Sequence, residues 1–151
     1  MRSFLVAKVA QAILVMSVVS LPCRAQAGSP GTMIITAEPV EPGPTFDAKL
    51  RKSAVKTLTA KDGQWSLFYV AYLKRAVGAP EVNVVFYDAK DKGEPTSAFQ
   101  ITTQADARAV SGTLSFSKEQ GFKAGHTYDV RVTRLIGGKE EVFARTALTL
   151  K

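Results

Sequence analysis

Apolar and polar residues alternate over short runs through most of the chain, and Gly, Pro and Asp punctuate the runs. Ala109 to Ser117 is the clearest: Val110, Gly112, Leu114 and Phe116 alternate with Ser111, Thr113, Ser115 and Ser117. Successive side chains of a strand point to opposite faces, so this run predicts a strand with one buried and one wet face. Thr32 to Glu38, Ala98 to Thr103, Thr127 to Leu135 and Glu141 to Leu150 also read as strands. Gly137-Gly138, between the last two, predicts a two-residue hairpin. Trp65 to Leu73 and Glu81 to Tyr87 are rich in aromatic and β-branched residues and read as a central hairpin about Val77-Gly-Ala-Pro80.

Two segments break the pattern. Pro39-Val-Glu-Pro-Gly-Pro44 lacks backbone donors at three positions and is a linker or strand crossover. Phe46 to Ala60 reads two ways. Phe46, Leu50, Ala54 and Leu58 recur as on one helix face, while Thr57, Thr59 and the Asp62-Gly63 turn suit the first arm of a hairpin, with a slight lean to strand for Ala54 to Ala60.

In the central pair, residues of both parities are large and apolar. Trp65, Leu67, Tyr69 and Leu73 alternate with Phe68, Val70 and Tyr72, and Val82, Val84 and Phe86 with Asn83, Val85 and Tyr87. A two-layer sheet protein buries one face of each strand, so something should cover the second. The segment 46–60 is the favoured cover. A partner is the functional alternative, with Trp65, Phe68, Tyr69, Tyr72, Val85 and Tyr87 as the candidate partner-binding face.

The N-terminus sets the compartment. Arg2 and Lys8 precede an uncharged stretch of 13 residues, Val9 to Leu21, closed by Pro22 and Arg24. A bilayer-spanning helix needs about 20 apolar residues. Ala25-Gln26-Ala27 then offers the small residues that a signal peptidase reads. Residues 1–27 are therefore expected to be a secretory signal peptide, 28–31 a flexible leader and 32–151 one β domain, periplasmic or secreted, with no stable membrane span after cleavage. Pro22 stands where a bacterial lipobox wants a small residue, which disfavours acylation of Cys23. Cleavage after Ala27 discards that cysteine, and with it disulfides, thiolate catalysis and cysteine-based metal sites. The remainder keeps 17 Lys and Arg against 13 Asp and Glu, scattered rather than gathered on one face, the densest run being Lys49, Arg51, Lys52 and Lys56. No nucleic-acid partner is expected.

About seven short strands with regular turn signals predict an all-β, antiparallel sandwich, with room for one short helix in 46–60. Phe122-Lys-Ala-Gly-His-Thr-Tyr128-Asp-Val-Arg-Val132 resembles the corner before the penultimate strand of immunoglobulin-like and fibronectin type III domains. That resemblance implies a tyrosine hydroxyl bonded back to nearby backbone, the tyrosine corner. It covers about 11 residues and is a statement about fold alone.

Chemistry is sparse. His126, the only histidine, sits in the expected turn before a strand. Zinc sites need several His or Cys ligands, and triads need a histidine oriented by a third group. Glu140 and Glu141 are adjacent in a strand, so their side chains should part to opposite faces. Asp88, Asp91 and Glu94 share a loop with Lys90 and Lys92, whose charges oppose a calcium site. No phosphate loop or dinucleotide fingerprint is present. The expectation is no catalytic or metal residue, no cofactor, and a non-catalytic binding or structural module of the bacterial envelope with a protein or glycan partner. The alternatives are a small envelope-glycan hydrolase using a carboxylate pair, or an accessory subunit of a secreted assembly.

Overall fold

The computed structural model describes residues 28–91 and 93–151; the signal peptide read over 1–27 lies outside them. In chain order come β1 (Thr32–Thr36), α1 (Phe46–Ser53), β2 (Thr57–Leu58), β3 (Gln64–Tyr72), β4 (Glu81–Asp88), β5 (Ser97–Thr102), β6 (Ala109–Ser117), β7 (Thr127–Ile136) and β8 (Lys139–Leu150). The strands form one curled, mixed sheet, a half-barrel in the order β5-β4-β7-β8-β1-β3-β6, with β2 added beside β8.

The protein is mostly β, as the alternation predicts, but the sheet is not purely antiparallel. β1 and β2 both run parallel to β8, at Thr32↔Arg145 and at Thr57↔Thr149 with Leu58↔Leu150. The chain leaves β1 through the proline stretch and returns through α1, so β2 arrives in β1's direction further along the same partner. Phe46 to Ala60 holds both readings in succession, helix to Ser53 and a two-residue strand at Thr57. Asp62 (φ 51°) and Gly63 (φ 79°) make their tight turn, closed by the bridge between Lys61 and Gln64. The arm before it pairs with β8 instead of β3.

The central hairpin is also corrected. β3 pairs with β1 and β6, whereas β4 pairs with β5 and β7. The link between them does not fold back on itself: Leu73 and Val77 are buried, and its amides bond to the carbonyls of Arg108, Phe143, Ala107 and Ala105. It crosses the concavity. β3 and β4 therefore bury their inner faces from opposite sides, and Phe86 of β4 meets Phe116 of β6 at 5.2 Å between ring centroids.

One core fills the concave side, with Met33, Trp65, Tyr69, Val84, Phe86, Phe116, Tyr128 and Leu148 among its members. The Trp65 indole donates to the Lys151 carbonyl at 2.9 Å. Gly137 (φ 58°) and Gly138 (φ 78°) form the expected two-residue turn between β7 and β8. The Tyr128 hydroxyl accepts the Lys123 N–H at 2.9 Å. A second cluster lies outside the sheet, where Leu50 of α1, fully buried, packs with Val70 and Tyr72.

Candidate functional site

The six residues singled out from sequence do not share a surface. Trp65 and Tyr69 point into the core and are fully buried. Phe68 and Tyr72, on the convex side of β3, belong to the cluster under α1, with Phe46 and Val40. Val85 and Tyr87 stand on the convex side of β4, where no helix of the described residues lies over them; Val85 is nonetheless buried, at 5% exposure, and Tyr87 is half-buried. Of the six, Tyr87 alone defines the remaining candidate face.

Register decides what surrounds it. Val85 is opposite Arg131 and Tyr87 opposite Asp129, while Arg131 is opposite Arg145 on the next strand. Opposed residues share a face, so β7 and β8 place their charges beside Tyr87. The Arg131 guanidinium lies over the Tyr87 ring, 4.3 Å from its centroid, a cation–π contact. Its Nε donates to Asp129 Oδ2 at 2.8 Å, and its Nη1 reaches Glu140 Oε2 at 3.4 Å. Arg145 Nη2 donates to the same Asp129 oxygen at 2.9 Å, and the Tyr87 hydroxyl donates to Glu140 Oε1 at 2.8 Å. Desolvation and then this bond to a carboxylate raise the Tyr87 pKa. Burial works to lower that of Arg131, but its carboxylate partners outweigh it and raise it. Glu141 turns the other way, to Arg75, as adjacent strand positions require.

At the end of β4, on the other side of the strand from Tyr87 and in register with the buried Tyr128, lies an acid–histidine pair. Asp88 is 7% exposed; Oδ1 accepts the Lys90 N–H at 2.9 Å, and Oδ2 lies 2.6 Å from His126 Nδ1. Burial works to raise its pKa, but the Lys90 amide and His126 prevail and hold it below the ordinary 3.8. An ionised carboxylate only accepts, so Nδ1 is the donor. An open depression of about 340 Å³ lies here, lined by Tyr87, Asp88, Ala89, Asp129, Arg131 and Arg145.

Asp129, Arg131 and Arg145 carry no motif, so sequence reasoning passed over them, and Glu140 enters it only as half of an adjacent carboxylate pair. The one signal was the two-residue spacing of Asp129 and Arg131, which puts both on one strand face. Chemically, the carboxylates hold arginines and a phenol, which fixes donors and acceptors in place for planar polar groups. Among the described residues no group of three or more His, Cys, Asp or Glu is placed to hold a metal ion, and no helix is long and apolar enough to cross a membrane. No protein-family model matches this sequence, and no curated protein or solved structure is significantly similar to it.

Proposed function

We propose that this chain is an exported, non-catalytic binding module of the bacterial envelope, immunoglobulin-like in fold, that engages a protein or glycan partner through the convex face of β4, β7 and β8. Two features support the fold reading. The one sheet curls so that its limbs β1-β3-β6 and β5-β4-β7-β8, joined at the short parallel pairing of β1 with β8, face each other across the core, and the Tyr128 hydroxyl bonds back to the Lys123 amide, as a tyrosine corner does. The export reading rests on residues 1–27.

The observation that carries the binding reading is the pre-paired network of Tyr87, Asp129, Arg131, Glu140 and Arg145. It holds aromatic and bidentate groups in fixed positions on an uncovered sheet face, and such groups dominate recognition where they are already ordered. Affinity capture from an envelope extract tests it, using the parent, Arg131→Glu and the control Lys118→Glu, each first verified as folded. A partner held by the parent and the control but lost from Arg131→Glu is the expected result. Identical capture by all three removes this face from the function.

A further inference from the structure

The chain's surface charges are unevenly paired. Arg131 and Arg145 hold Asp129, Arg131 also holds Glu140, and Arg75 holds Glu141. Lys49, Arg51, Lys52 and Lys56 are all exposed, and among the described residues none has an ion-pair partner. Lys56 alone has a polar side-chain contact, at 3.4 Å to the neutral Thr146 hydroxyl. From Lys49 to Lys61 the chain has five bases and no carboxylate.

Helix geometry turns this run into a surface. Leu50 is fully buried against the sheet, and residues step round an α-helix by about 100° each. Lys49 and Arg51 therefore flank the buried line, while Lys52 points away from the sheet. Lys56, beyond the helix, reaches away to Thr146 of β8, so the patch is Lys49, Arg51 and Lys52. The solvent side of α1 is a basic cap over the convex face of β1 and β3.

We propose that this cap docks the protein peripherally on an anionic phospholipid surface. The bases diverge over a convex element, whereas a site for a linear polyanion needs a groove that tracks it. The adjacent depression, lined by Pro39, Val40, Glu41, Lys49 and Ser53, carries a carboxylate that repels such a chain. Tyr72 is buried, and Phe46 and Phe68 are partly buried in the cluster beneath the helix, leaving no free ring for a base or sugar to stack on. A bilayer surface requires neither groove nor ring; it requires several long cations presented together. The apolar side of α1 already packs on the sheet, so attachment is electrostatic and without insertion.

Vesicle co-sedimentation of the full chain tests this, comparing phosphatidylcholine alone with phosphatidylcholine containing about a third phosphatidylglycerol. Residues 1–27 carry Arg2, Lys8 and Arg24 and would favour anionic vesicles themselves; the variants all share that segment, so the comparison between them carries the test. The parent should prefer the anionic vesicles and lose that preference at high salt. Lys49→Gln/Arg51→Gln/Lys52→Gln should lower partitioning by roughly a hundredfold, at about fivefold per base. The matched triple Arg108→Gln/Lys118→Gln/Lys139→Gln should lose far less, and Tyr87→Ala nothing, because the convex β4-β7-β8 face is a separate surface. No preference for anionic vesicles, or equal loss in the two triples, overturns the proposal. So does inorganic polyphosphate binding as tightly as the vesicles at equal phosphate, since the site would then recognise soluble polyanions.

Discussion

The convex sides of β3 and β4 carry similar patterns in sequence and are completed differently. Over β3, Val70 and Tyr72 pack beneath Leu50, which is fully buried. Over β4, Tyr87 is roofed by the Arg131 guanidinium, itself bonded to Asp129. Large residues of both parities announce a covered outer face without specifying the cover. A helix removes area from water outright. An arginine lays its stem and planar head on a ring while the charge stays hydrated. The first limb is sealed, and the second keeps a charged, partly exposed surface.

The largest expected effect tests the seal. Leu50→Ala deletes the one fully buried side chain of α1, and large-to-small changes at such positions cost about 2–5 kcal/mol. Denaturant unfolding should show a loss in that range, with increased binding of a hydrophobic dye as α1 loosens from Val70 and Tyr72. A loss under about 1 kcal/mol would mean that the helix rests on the sheet without holding it.

A smaller effect compares the concave sides, where each limb buries one tyrosine completely. On β7 the Tyr128 hydroxyl has its partner, the Lys123 amide at 2.9 Å. On β3 the Tyr69 hydroxyl has none among the described residues, and burial pushes its pKa up to about 12. Its ring lies along Gly112, the residue opposite on β6, where a Cβ would come within 3.1 Å of the hydroxyl. Tyr128→Phe should cost about 0.5–1.5 kcal/mol, the net worth of one hydrogen bond. Tyr69→Phe should be neutral or slightly stabilising, because it removes a desolvated hydroxyl that bonds to nothing. Chemical denaturation of the pair decides this: equal losses would mean that Tyr69 has a polar partner after all.

What could be read in advance divides along the same line between local and distant. The β6 alternation, the Gly137-Gly138 turn and the hydroxyl bond of Tyr128 depend on residues within a few positions of one another, and all were legible. Helix and strand in 46–60 stayed open because Leu50 and Thr57 serve different elements a few residues apart. Strand partners were not legible. Nothing local to Trp65 or Val84 says that their strands face each other across a core, since the crossing is fixed by amides of Leu73 and Gly78 bonding to carbonyls about 30 residues on. The site divided likewise. Val85 and Tyr87 stood out as apolar residues of the wrong parity, whereas Asp129, Arg131 and Arg145 reach them only through the pairing register of β4, β7 and β8.

The smallest effect separates the two covers by their response to salt. Asp129 Oδ2 accepts from both Arg131 and Arg145, and these side chains are 27% and 62% exposed. Exposed pairs contribute about 0.2–1 kcal/mol each. Asp129→Asn keeps the shape and removes the charge, so at low salt it should cost up to about 1 kcal/mol. Screening shortens the reach of charge from about 10 Å at 0.1 M salt to about 3 Å at 1 M. The Asp129→Asn deficit should therefore shrink as salt rises, while the Leu50→Ala deficit persists, because apolar burial is not screened. Unfolding curves of both variants across a salt series read the two side by side. A deficit at Asp129 of several kcal/mol that ignored salt would mean that the β4-β7-β8 face is held like a core, and the contrast with the helix-covered limb would collapse.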